Sequence, residues 1–409
     1  MEYVEYDLTL TDEQREIRDT ARKFSKDVLW PAGIAFDKLT PEAVVAPGSG
    51  FFDVLRQAHE LGFDRMSGPA ELGGLAASPL TQHLVYEELS WGNAGLAGSI
   101  LLSAFPPEAA LGTANPELAE EFVKPHFAGG GPLRVGAWAI TEPDHGSDQL
   151  GLSSPEFRVK GPGQLTARKD GDSWIISGQK SSWVSNGPAA THAVLFMNIE
   201  PKVGLDRGGV AVLPLNLPGI SRGKALNKLG LRGLPQGEIF FDDVRIPRRY
   251  MFVEPDAYPQ YLDFTLTAFN AAVSTMGLGI ARAAFEIALA YTKQRIQGGR
   301  PIFEHQSVRA RLFRMFTLVQ ASRTLSREVF VYNLTRLHEG KPAPLHHSIA
   351  AKVFCTDAAL EVATLAVQLH GGNGMTKEYP VEMLMRDATA CTVADGENAF
   401  LSQVGGSLL

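Results

Sequence analysis

After Pro247 the chain settles into long helix-period segments at residues 261–294, 306–338 and 346–369. The loops Gly298-Gly299-Arg300-Pro301 and Glu339-Gly340-Lys341-Pro342 join them. The preceding stretch, from about Gly130, has a different texture. Short apolar or alternating runs at 135–140, 165–168, 174–178, 193–199, 210–213 and 238–241 are separated by Asp-Gly, Pro-Gly and Gly-Gly turns. That spacing predicts a small antiparallel β domain. The first third is helical. Thr11 and Gln14 make a capping box, and Ile17, Ala21, Phe24 and Val28 recur at helical spacing up to Pro31. A second helix is expected over 51–61. Ser78 and Pro79 read as the cap and first position of a third, running to about Leu89, in which Glu87 and Glu88 read as a solvated face or cap partners. The expectation is an α+β fold with an N-terminal α-helical domain (residues 1–130), a β domain (131–250) and a C-terminal four-helix-bundle domain (251–409).

Bulk numbers narrow the function. The chain has 409 residues and a net charge of -7. Nucleic acid is therefore not the expected partner, because binding phosphates along a strand needs a basic footprint. Two cysteines, Cys355 and Cys391, make no disulfide framework, and the ten histidines show no metal spacing, so no metal is expected. The most apolar stretch, 262–291, is interrupted by Asn270, Arg282 and Glu286 and reads as a buried core helix instead of a membrane span. Residues 1–7 are acidic and lack the basic-then-apolar order of a signal peptide, which predicts a cytoplasmic protein. The glycines of Gly277-Leu278-Gly279-Ile280-Ala281-Arg282 fall inside a helix pattern, not after a strand, so a dinucleotide-fold reading fails.

Two motifs carry chemistry. Thr141-Glu142-Pro143-Asp144-His145-Gly146-Ser147-Asp148 follows the strand-like run Gly136-Ala137-Trp138-Ala139-Ile140. Trp183-Val184-Ser185-Asn186-Gly187 comes about 35 residues later. A flavin ring needs an apolar or aromatic wall, a donor near N5 and backbone N–H groups for its carbonyls; a strand leading into a Gly-Ser loop can supply them. The bland alternatives are a loop capped by Ser and Asp, and a core tryptophan. Near the C-terminus stand Gln368-Leu369-His370-Gly371-Gly372-Asn373-Gly374, Arg386-Asp387-Ala388 and Asp395-Gly396-Glu397.

These segments, with Lys228-Leu229-Gly230-Leu231-Arg232-Gly233 and Arg295-Ile296-Gln297-Gly298-Gly299-Arg300, resemble the acyl-CoA dehydrogenases over nearly the whole chain. The resemblance implies FAD, held by Trp138, Ile140, Thr141, Ser147, Trp183 and Ser185. Its adenine and pyrophosphate end would be met by Arg295, Gln306, Gln368, Gly371 and Gly372, with the Arg295 segment reaching across to a neighbouring subunit. It also implies an acyl-CoA substrate, an electron-transfer flavoprotein as electron acceptor, and a homodimer or homotetramer.

The family's base is usually a glutamate before the last glycine; here Asp395 holds that place, one methylene shorter. Glu397 stands where a small hydroxyl residue usually contacts cofactor, and is read as a solvated charge, a substitute base or a wedge. Some members carry the base on the helix that opens the third segment, but Phe269 occupies that position, and Asn270 replaces the arginine usual next to it. These departures point to a branched, cyclic or aromatic acyl group. The alternatives are altered flavin chemistry (a desulfinase, an oxygen-using or a 1,4-dehydrogenating member) and a carrier-protein thioester. No arginine occurs near 93–103, where carboxylate-binding members carry one, which places dicarboxylic substrates lower.

Overall fold

The computed structural model describes residues 7–159 and 161–409; the acidic N-terminal stretch 1–6 lies outside them. Helix α1 (Asp12–Phe24) begins at the expected capping box, with Gln14 N donating to Thr11 Oγ1 and Thr11 N donating back to Gln14 Oε1. Helix α2 spans Phe51–Glu60. Helix α3 (Pro79–Leu111) starts on Ser78 as expected but does not stop at Leu89. The chain breaks helical geometry only at Asn93, at φ -166° and ψ 115°, and resumes at once because Asn93 Oδ1 caps Leu96 N at 2.9 Å. A side-chain cap thus reopens the helix where sequence periodicity alone stops.

The middle of the chain is one mixed sheet. Its strands are β1 (Gly136–Ala139), β2 (Thr166–Asp170), β3 (Ser173–Ser185), β4 (His192–Asn198), β5 (Gly208–Pro214), β6 (Ile220–Arg222), β7 (Gln236–Pro247) and β8 (Met251–Val253). They lie in the order β6-β7-β3-β1-β4-β5-β8, with β2 against β3 and β4. The expected purely antiparallel sheet is corrected at β1, which pairs with β4 in parallel. Turn signals report only strands adjacent in sequence, whereas β1 and β4 meet through a long connection that carries β2 and β3. Along β3 the pairing with β7 slips twice, and Gly178 sits at the first slip with φ +123°, where an added Cβ would stand 2.0 Å from Gln164 O.

The C-terminal helices are α4 (Tyr258–Gln294), α5 (Gln306–His338), α6 (Leu345–His370), α7 (Val381–Val393) and α8 (Asn398–Ser407). Both α3 and α4 are long and apolar enough to cross a membrane, but 83% of the most apolar window of each is buried inside the fold.

Glu87 and Glu88 are not on a solvated face. Both are buried where α3 meets the C-terminal helices: Arg282 Nη1 lies 2.9 Å from Glu87 and 2.7 Å from Glu88, and Arg323 Nη2 lies 2.9 Å from Glu87. Burial alone would raise the Glu87 carboxyl; Arg323 and Arg282 overcome it and hold it well below the usual range. A helix-period carboxylate pair does not reveal that arginines two hundred residues away complete it.

Candidate active site

Strand β1 and the residue that follows it place Trp138 and Ile140 in a buried aromatic layer, and the chain then reaches Thr141. The Thr141 and Ser181 hydroxyls are 2.7 Å apart, and Ser181 N donates to Thr141 O at 2.9 Å, so β3 fixes the start of the octet. Beneath it Lys180 Nζ donates to Glu142 Oε1 at 2.7 Å and to Ile140 O at 2.8 Å. Glu142 Oε1 also accepts from Leu165 N at 3.2 Å, and its other oxygen accepts from Gln164 N. Burial lowers the Lys180 ammonium and Glu142 opposes that shift.

The loop then closes on itself. Asp148 accepts from Gly146 N at 2.6 Å and lies 2.8 Å from His145 Nδ1. Ser147 does not cap this loop; its hydroxyl accepts from Glu397 N at 3.1 Å, across 250 positions of chain.

Trp183 is 57% exposed, whereas Trp174 on the same strand is buried. An indole on the surface beside Ser185 is the placement expected of a cofactor wall, not of a core residue. Gln236 Nε2 holds this corner, donating to Trp183 O at 3.1 Å and Ser185 Oγ at 3.0 Å; its own carbonyl accepts from Lys228 Nζ at 2.7 Å. Trp138 Nε1 is a buried donor with no partner among the described residues, aimed from the strand expected to face the flavin.

The third group is the turn between α7 and α8. Asp395 adopts φ +52°, a left-handed backbone that aspartate tolerates better than most residues. Its carboxylate makes no hydrogen bond or ion pair with any described residue. Burial pushes its pKa up to about 6, and Lys352 opposes the shift. Lys352, buried on α6, donates to Gly396 O at 2.6 Å, Asn398 Oδ1 at 2.7 Å and Thr392 O at 3.3 Å.

Glu397 has a structural use: its side chain accepts from Phe400 N at 3.0 Å and caps α8. Hydrogen bonds from Ala399 and Phe400 hold its carboxyl below the ordinary value. Asn270 is buried, donating to Leu266 O at 3.0 Å.

The remaining sequence candidates gather elsewhere. Arg295 ends α4 and Gln306 opens α5, while Gln368, Gly371 and Gly372 lie at the end of α6. Tyr291 joins these ends: its ring stacks on His370 at 4.0 Å and its hydroxyl donates to His370 O at 3.3 Å. Added side chains at Gly371 and Gly372 would meet open space, as a cradle for a ligand requires. From Phe269, which touches Trp138, to Arg295 the helix rises about 39 Å.

Sequence reasoning missed Ser181, Gln236, Lys352 and Asn398. The usable signal for Lys352 was a lone lysine at helical spacing from Ser348 and Thr356, both of which are buried. The histidines hold one surprise: His59 Nδ1 lies 3.0 Å from both Asp64 carboxylate oxygens, and His126 Nε2 lies 3.0 Å from Asp64 O, so each nitrogen facing Asp64 is engaged by oxygen.

The sequence matches the N-terminal, middle and C-terminal domains of acyl-CoA dehydrogenase over residues 11–129, 137–244 and 263–405. The chain belongs to the acyl-CoA dehydrogenase family. It is 32% identical over 400 residues to an acyl-CoA dehydrogenase of Bacillus subtilis, covering 95% of this chain and 96% of that one. It is 29% identical to benzylmalonyl-CoA dehydrogenase of Aromatoleum aromaticum, covering 97% and 98%. Butyryl-CoA dehydrogenase from Megasphaera elsdenii superposes with a TM-score of 0.85 at 27% identity, covering 98% and 99%. Acyl-CoA dehydrogenases are FAD-dependent oxidoreductases that act on the CH–CH bond of acyl-CoA thioesters. The partnerless Trp138 donor, the exposed Trp183 and the glycine cradle are the features of this chain that fit FAD.

Proposed function

We propose that this acyl-CoA dehydrogenase removes the α-proton of a branched, cyclic or aromatic acyl-CoA with Asp395 and yields the α,β-unsaturated thioester. The observation that carries the reading is the Asp395 carboxylate: without a hydrogen-bond or ion-pair partner among the described residues, raised toward neutrality and held on a turn that Ser147 ties to the octet. A base must be free of competing donors and poised near the working pH. FAD, when bound, supplies the acceptor for the β-hydride. Asp395 takes the proton, its N–H is the donor that the family resemblance implies for the thioester carbonyl, and the aromatic layer of Phe105, Trp138, Phe196 and Phe269 excludes water.

The acyl class rests on space. Aspartate reaches about an ångström less far than glutamate, and misplacement on that scale costs about a hundredfold in rate. A substrate widened at its reacting carbons fills the difference, and the benzylmalonyl-CoA relative has a name that fits such a class. Electrons leave to an electron-transfer flavoprotein, the partner the family resemblance implies.

The working unit is at least a dimer. About 39 Å of α4 separates the Trp138 wall from Arg295, too far for one FAD to meet both within one chain. The Arg295–Gln306 and Gln368–Gly372 patch therefore serves the cofactor of a neighbouring subunit.

A second reading, altered flavin chemistry or a carrier-bound thioester, draws on the neutral Asn270 and the short base. Anaerobic titration with straight, branched, cyclic and aromatic acyl-CoAs separates the two. Bleaching of the flavin by one class, lost in Asp395→Asn, supports the dehydrogenase. A loaded yellow protein that no thioester reduces sinks it.

A further inference from the structure

The turn that carries Asp395 is held from behind by one side chain. Lys352 enters it from α6, its side chain buried, and each of its three ammonium hydrogens has an acceptor: Thr392 O at the end of α7, Gly396 O beside the base, and Asn398 Oδ1 at the start of α8. Asn398 is oriented in turn, its Nδ2 donating to Thr356 Oγ1 at 3.0 Å and Asp357 Oδ1 at 2.8 Å. Every acceptor of the ammonium belongs to the segment that presents Asp395, and the donor comes from a stretch of α6 that the sequence motifs do not mark. A buried lysine with all three hydrogens committed has one geometry available to it.

We propose that Lys352 is a positioning residue for the base: it fixes the left-handed turn that aims Asp395 and supplies the cation in that carboxylate's surroundings. The inference rests on Asp395 being the base. The short side chain makes the placement of its own backbone decisive, because reach lost in the side chain can be recovered only by the main chain. Asp395 holds a φ of +52°, a backbone that costs a non-glycine residue energy, and Gly396 beside it, at +106°, supplies the freedom the turn needs, so the turn gains from an outside restraint. Other groups near the ammonium do not replace it. Glu397 is turned outward to cap α8, Asp357 accepts from Asn398, and burial pushes the Cys391 thiol up to about 12, so it stays neutral. Without the ammonium, the carboxylate would bind its proton more tightly and two backbone carbonyls would lose their donor.

The test uses full-length flavin-loaded protein and the rate of anaerobic flavin bleaching by its best acyl-CoA, followed against pH, with flavin content and Tm as controls. In Lys352→Met the rate at pH 7 is expected to fall about a hundredfold, and the acid limb to move up by about one pH unit. Asn398→Ala keeps the charge and loosens the clasp, so its rate falls with the acid limb in place; Lys352→Arg keeps the limb as well. A Lys352→Met protein with wild-type rate, or with an unmoved acid limb, overturns the proposal. Where Lys352→Met does not fold, a wild-type rate in Asn398→Ala overturns it. Asp395→Asn, run alongside, separates the two claims: wild-type bleaching there removes the base, whereas an inert Asp395→Asn beside a normal Lys352→Met removes only the role of the lysine.

Discussion

The indole of Trp138 lies flat on the ring of Phe269, with centroids 4.5 Å apart and planes inclined by 14°. Phe105 meets Phe269 edge-on at 4.9 Å. The position that in some family members carries the base is here part of an aromatic layer, which on the proposed function would wall the acyl pocket. Phe269→Ala is expected to cost about 2 kcal/mol of stability, below the range for a fully buried phenylalanine, because Phe269 is only partly buried. It should also shift the order of acyl-CoA preference toward bulkier chains. A substrate panel that keeps its order would show that the wall does not set specificity.

Asp395 has a pKa near 6 in the fold, against an ordinary value of 3.8. Its basic form is needed, so bleaching should rise through about pH 6 and level off above it. The same shift has a stability sign. The raised group binds its proton more tightly folded than unfolded, so the fold is favoured at low pH and gives up that advantage as pH rises through 6. Asp395→Asn should thus stabilise the fold at pH 8 by about 1 kcal/mol given partial exposure, read as a higher Tm, and have little effect at pH 4. An equal Tm change at both pH values would contradict this.

Lys180 and Glu142 form a buried pair under the octet. Lys180→Met strands the carboxylate and should cost about 3–5 kcal/mol, read as a fall in the denaturation midpoint. Flavin content should fall with it, because Ile140 O and Thr141 lose their support. Full flavin loading in a destabilised variant would separate the pair from the cofactor site.

Glu397 caps α8 through its carboxylate. Glu397→Ala is expected to lose about 1 kcal/mol, and Glu397→Gln, whose amide oxygen can still accept, to lose less. The bleaching rate of Glu397→Gln should stay near that of the parent; a collapse would restore Glu397 as a candidate base.

Much of this architecture was legible from periodicity. The 306–338 helix is observed with those bounds, and β1, β2, β4 and β5 fall within two residues of the expected runs, whereas β3 and β7 run well past theirs and β6 and β8 have no expected counterpart. What escaped were interactions that no local pattern encodes. The parallel β1–β4 pairing depends on a long connection, and the helix beyond Leu89 on the cap at Asn93. The burial of Glu87 depends on Arg282 and Arg323. In the site, the motif residues could be read because flavin chemistry restricts residue types. For Lys352 the spacing from Ser348 and Thr356 could suggest burial but not a role, which appears only once the turn that it holds is in view.

The left-handed backbone at residue 395 constrains what evolution can try there. Glycine and asparagine sit in that conformation at low cost, but neither can take a proton. Glutamate brings the reach yet gives up the local stabilisation that a short polar side chain offers, on a backbone that charges most residues about 1–2 kcal/mol. Comfort of the main chain and length of the side chain therefore pull in opposite directions at one site. An aspartate there is a settlement between them, and any lineage that lengthens the side chain must find restraint for the turn at the same time.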